Sequence, residues 1–131
     1  LFYIEMTCFW DGIMKSLTKS DRELLGLRTA NIYTLIERLQ HLNCKTTNIN
    51  CQNIRLSNQQ LDENMEHVRI YKKTTARSGY LCSPQDPFLF LLSFLLRRPI
   101  KFNYCGNNIH YTHALATGKL LQYKCNRGHF S

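Results

Sequence analysis

One stretch limits the possible folds more than any other. Pro87 is followed by the apolar run Phe88 to Leu96, interrupted only by Ser93, and then by Arg97-Arg98-Pro99. Proline suits the first turn of a helix, where its missing N–H costs nothing. Cations suit the end of a helix, beside its free carbonyls, and Pro99 stops it. The run falls far short of the ~20 residues that span a bilayer. It is apolar on every side, so it predicts a helix enclosed by other elements rather than an amphipathic surface helix. The chain must therefore build layers around it.

The remaining pattern supplies those layers. Phe9, Ile13, Met14 and Leu17 share one face of a first helix, Phe9 to Leu17. Ser20-Asp21-Arg22-Glu23 reads as a capping box for a short helix through Leu25, ended by Gly26. Leu27 to Leu42 is the clearest amphipathic helix, with Ile32, Leu35, Ile36 and Leu39 on one face. Asn43 to Asn53 reads as loop or irregular edge structure, and Ser57 caps a further helix through Leu61, Met65 and Val68. Lys72 to Gly79 reads as an exposed basic loop. After Pro99 the pattern changes. Ile100 to Tyr104 alternates apolar and polar residues, Cys105 to Asn108 is a turn, and Ile109–Leu115 and Leu120–Lys124 are two more strands joined by Thr117-Gly118. Helices followed by a strand meander describe an α+β domain, with helices packed on a small, mostly antiparallel sheet.

The 131 residues make one domain, 1–131, large enough to bury a core unaided. The start, Leu1 to Glu5, has neither a basic region nor a small-residue cleavage site, which argues against a signal peptide. It also lacks an initiator Met, which suggests a segment of a longer polypeptide. The net charge of +8 permits an acidic partner. No RNA-binding aromatic motif, helix-turn-helix or finger spacing accompanies it, so nucleic acid is the weaker expectation. The six cysteines are irregularly spaced, which favours free thiols over a disulfide framework. No Cys-x2-Cys or His-x3-His pair is present, so neither a metal nor another cofactor is expected.

Two residues could carry chemistry. Cys8 directly precedes the first helix. The free amides and partial positive charge of a helix N-terminus favour thiolate over thiol and can hold an oxyanion. The plain alternative is a buried, inert cysteine. His110 lies on a predicted strand about a hundred residues later, where a base for that thiol would be needed. His113 is the rival, but residues 110 and 113 of a strand face opposite sides.

Taken together these pieces resemble the ovarian tumour (OTU) family of cysteine proteases, particularly its compact viral members. That family opens on Asp-Gly-Asn-Cys-aromatic at a loop leading into a helix, and Glu5-Met6-Thr7-Cys8-Phe9-Trp10 is the similar stretch here. Leu27-Arg28, Tyr80-Leu81-Cys82, Phe88 to Leu96, Arg98-Pro99-Ile100 and His110-Tyr111 resemble further family segments, in the family's order. The resemblance implies a papain-like fold. It also implies a thiol-dependent deubiquitinase that cleaves after the C-terminal Gly-Gly of ubiquitin or a ubiquitin-like protein, with polyprotein processing as a further activity in a virus. Cys8 would be the nucleophile, His110 the base, and Glu5, Met6 and Thr7 the oxyanion loop. The family often has Asp or Asn two residues after the histidine, and Thr112 stands there instead. Asn107, Asn108 and Asp11 are the other candidates to orient the imidazole. Arginines in a ubiquitin tail want acidic partners, and the densest acidic cluster is Asp62, Glu63 and Glu66. The resemblance implies a cytoplasmic monomer, in the host cytosol for a viral protein, with no membrane partner. Glu5-Met6-Thr7 in place of Asp-Gly-Asn, together with Thr112, motivates an alternative: a catalytically degenerate OTU-like binding module.

Overall fold

A computed structural model describes residues 8–126 and 129–131, and the side chains of all of these but Cys8. The described chain is α+β. The helices are α1 (Cys8–Ser16), α2 (Lys19–Leu25), α3 (Ile32–His41), α4 (Asn58–Ile70) and α5 (Pro87–Leu96), with a 3-10 helix over Lys73–Ser78. The strands are β1 (Ile49–Cys51), β2 (Ile54–Arg55), β3 (Ile100–Tyr104), β4 (Asn107–His113), β5 (Leu121–Asn126) and β6 (His129–Phe130). They form one mixed sheet in the order β2-β1-β4-β3-β5-β6.

Local chemistry explains most boundaries. α5 begins where Asp86 Oδ1 accepts from Phe88 N–H at 3.0 Å, with Pro87 just inside the helix. Phe88 to Ser93 are all buried, as the apolar run requires. Ser57 and Gln60 form a reciprocal capping box at the start of α4. Three expectations shift. The cap of α2 is Thr18 with Asp21, not Ser20 with Glu23, because Asp21 must turn inward to meet Arg98. The long helix predicted from Leu27 starts only at Ile32, since Asn31 takes the N-cap and its side chain accepts from Tyr33 and Thr34. The basic segment after Lys72 is a 3-10 helix rather than a loop, with Ala76 buried, Lys73 paired with Glu37 at 2.9 Å and Arg77 over the Tyr33 ring.

The strands are not a simple meander. β3 and β4 form a hairpin across Cys105-Gly106, both with positive φ (49° and 90°), the arrangement that suits the twist of a two-residue turn. β5, however, pairs in parallel with β3 rather than with β4. The other edge of β4 is already taken by β1, a strand within the segment read as irregular. β1 and β2 form their own hairpin across Gln52-Asn53, which also have positive φ.

All this buries one face of the sheet. Ile100 and Phe102, Tyr111 and His113, Leu121, Tyr123 and Phe130 are buried on that side. α1 lies on it: Phe9 meets Phe130 with ring centroids 4.8 Å apart, and Ser16 Oγ is 2.6 Å from Tyr123 Oη. A Cβ on Gly12 would sit 2.7 Å from the Phe130 ring, so only glycine allows this close approach. α5 packs beside it, with Phe90 against Tyr111 at 4.8 Å.

Candidate functional site

Cys8 is the first residue of α1, and its side chain lies outside the described residues, as do Glu5, Met6 and Thr7. The two residues after it are firmly seated. Trp10 is fully buried, donates to Tyr71 Oη at 3.1 Å and stands edge-on to Phe88 at 4.9 Å. Phe9 packs on Tyr80 at 4.5 Å. Two adjacent aromatic anchors thus fix where the helix begins, in the surroundings of Tyr80, Tyr71 and Phe88.

His110 is exposed on β4, and the strand register decides which way it faces. It pairs with Lys101, whereas its neighbours Ile109 and Tyr111 pair with the buried Phe102 and Ile100. In a strand, successive side chains take opposite faces. His110 therefore points away from the helices, onto the open face of the sheet. Its backbone is held by Gln52, whose side-chain amide accepts from His110 N–H at 2.9 Å and donates to Asn108 C=O at 3.2 Å. The Gln52 side chain continues the β1–β4 ladder where β1 itself has ended.

Asn108 and Thr112 share the His110 face, two residues away on either side. Asn108 Oδ1 accepts from Asn103 Nδ2 at 2.9 Å. Asp11, on α1, is exposed and lies on the covered side of the sheet with the rest of that helix. The fold thus groups His110 with Asn108 and Thr112, and separates it from α1, the helix that Cys8 begins. The physical reason is the pleat: burying Tyr111 against α5 turns His110 to the other side.

His113 takes the opposite course. It is buried, stacks on Phe94 with centroids 5.9 Å apart, and its Nδ1 accepts from Leu115 N–H at 2.9 Å. Burial holds its imidazole below the usual range. It is a satisfied core histidine.

The acidic cluster lies along the exposed side of α4, beside Gln59, His67 and Ile70, in a shallow groove. Asp62 pairs with Lys45 at 3.0 Å, and both oxygens of Glu66 take up Arg69. Glu63 is exposed beside them. Two of the three carboxylates are thus already matched by cations.

A buried polar network, not anticipated from the residues alone, precedes α5. The Asp86 carboxylate is fully buried and accepts from Tyr80 Oη, Ser83 N–H and Phe88 N–H at 2.9 to 3.1 Å. Tyr80 Oη also lies 3.3 Å from His67 Nε2, and Tyr111 Oη takes the Asp86 N–H at 2.9 Å while donating to Pro84 C=O. Burial pushes the Asp86 carboxyl up to about 6 against the pull of these donors. Asp immediately before a helix-opening Pro was the available signal. Burial likewise raises the thiols of Cys44, Cys51 and Cys82 above the usual range.

Among the described residues no cluster of three or more His, Cys, Asp or Glu side chains could hold a metal ion, and no helix is long and apolar enough to cross a membrane. Comparison with protein-family models, curated proteins and solved structures finds no match to this chain.

Proposed function

We propose that this chain is a thiol-dependent peptidase of OTU-like architecture, acting after the C-terminal Gly-Gly of ubiquitin or a ubiquitin-like protein. The observation that carries this reading is the place of Cys8, first in a nine-residue helix seated by Phe9 and Trp10, while burial raises the thiols of Cys44, Cys51 and Cys82. A helix start favours a thiolate; a buried apolar site suppresses one. In this reading Cys8 attacks the carbonyl carbon of the terminal glycine, and amides of residues 5–8 hold the oxyanion. His110 takes the Cys8 thiol proton as the sulfur attacks; the C–N bond then breaks, the amine leaves with that proton from the imidazolium, and water releases the acyl group and restores the thiol. The Asp62, Glu63 and Glu66 groove would receive the cationic tail of the substrate.

A second reading is favoured by one specific observation: α1 and His110 lie on opposite sides of the sheet. In that reading the chain is a catalytically degenerate binding module for the same class of partner.

One experiment separates them. The chain is incubated with ubiquitin carrying a C-terminal electrophile, and the modified cysteine is mapped by mass spectrometry. Labelling at Cys8, lost in Cys8→Ala and matched by loss of turnover, supports the peptidase. Reversible ubiquitin binding without labelling supports the module. Neither binding nor labelling rejects both.

A further inference from the structure

A pair of thiols meets at the end of the sheet. Cys82 lies in the irregular segment between the 3-10 helix and α5, and Cys125 lies near the end of β5. They are 43 residues apart in sequence, yet their sulfurs are 3.5 Å apart. We propose that Cys82 and Cys125 are a disulfide-forming modification site, open to a small-molecule disulfide as oxidant. This is independent of the function proposed above.

Three observations carry it. First, the sulfurs are already in contact, so forming a bond of about 2.05 Å asks for an approach of roughly 1.5 Å. Second, the segment around Cys82 can supply that movement. It has no ladder or helix of its own, and its neighbour Leu81 is 95% exposed. β5, by contrast, is locked between β3 and β6. Third, the two thiols differ in access. Cys82 is half-buried and reachable, whereas Cys125 is only 7% exposed. That asymmetry sets the order of events. The Cys82 sulfur attacks one sulfur of the oxidant, forming a mixed disulfide and releasing one small thiol. The Cys125 sulfur then attacks Cys82 Sγ, the mixed bond breaks, and a second small thiol leaves. The two cysteines lose two hydrogens and two electrons in total, and the oxidant is reduced to two thiols. Burial and the neighbouring Cys125 raise the Cys82 thiol, so the first step quickens as pH rises.

Cys105 is the rival. It is exposed in the β3–β4 turn, and its N–H bonds to Cys125 C=O at 2.8 Å. An exposed thiol in that position can capture the oxidant without forming any bond within the chain.

The test uses the whole chain, fully reduced and then equilibrated with graded ratios of oxidised to reduced glutathione. Free thiols are alkylated and the peptides mapped. The expected result is a crosslinked Cys82–Cys125 peptide, the loss of two titratable thiols, and a higher Tm, because a cross-link closing a long loop restricts the unfolded chain. Cys82→Ser, in the half-buried segment, should abolish the crosslink and the Tm rise, and Cys105→Ser should leave both intact. Complete alkylation of Cys82 and Cys125 under conditions that oxidise Cys105 would overturn the proposal, as would a crosslink that joins any other pair.

Discussion

On its covered face the sheet presents Phe102, Tyr111, Tyr123 and Phe130 to a layer of helices. On its open face the same strands present Lys101, Asn103, His110, Thr112, Gln122 and Lys124, none of them buried. The charge follows the same division. No strand among the described residues contains a carboxylate, and residues 87–131 have no Asp or Glu but six Lys and Arg. The two faces are built from alternate residues of one set of strands, so a single-residue step separates a side chain that holds the fold from one that meets solvent. Each role therefore has its own side. Loss of stability belongs to the covered face, and recognition or chemistry on the sheet belongs to the open one.

The largest expected effect tests the covered side. Trp10→Ala empties a fully buried site between Phe88, Tyr71 and Tyr80 and leaves Tyr71 Oη without its donor. It should cost about 4 kcal/mol, read as a fall in the urea midpoint. Lys101→Ala on the open face should stay within about 0.5 kcal/mol of the parent. Equal losses would erase the distinction.

Arg98→Ala comes next. Arg98 pairs with the buried Asp21 and donates to Lys119 C=O, tying α2 and the segment before β5 to the start of β3. Its removal strands a buried carboxylate and should cost about 3 kcal/mol. Thermal unfolding of Arg98→Ala and of the double variant with Asp21→Asn gives the coupling. The double variant should recover part of the loss.

Asp86 gives a pH test of similar size. Its folded carboxyl sits at about 6 against an ordinary 3.8. The folded protein therefore holds this proton more tightly than the unfolded chain. The stabilisation is complete below pH 3.8 and is lost as pH rises through 6, about 3 kcal/mol for this group. Urea unfolding between about pH 4 and 8 should show the decline, and Asp86→Asn should flatten it. A slope identical in both proteins would place the pH dependence elsewhere.

The smallest effect is the sharpest probe of the two faces. His113→Ala should cost about 1–2 kcal/mol, because Leu115 N–H loses its acceptor and Phe94 its stacking partner. His110→Ala should leave the Tm unchanged. Under the peptidase reading it abolishes turnover, and under the binding-module reading there is no turnover to lose. Turnover lost in His113→Ala at constant Tm would exchange their roles.

Much of this was legible in the residues. The α5 boundaries followed from two prolines and an apolar run, because a helix apolar on all sides has only one environment open to it. The β3 strand followed from alternation, and the opposition of His110 and His113 from the period of a strand. The β1–β2 hairpin was less legible, since Gln52-Asn53 is not a common turn pair and the flanking strands are short. For the candidate site, the residues placed Cys8 at a helix start and His110 on a strand. They did not say on which side of the sheet each would fall.

The chain by itself determined its local elements: caps, prolines, apolar periods and turn glycines act over a few residues, and their energies do not depend on distant partners. Only the tertiary structure decided that β5 runs parallel to β3, that Asp21 turns inward to Arg98, and that Cys82 touches Cys125. Those outcomes depend on which edges and faces remain after the earlier elements have packed, and burying Tyr111 against α5 is what turned His110 toward solvent.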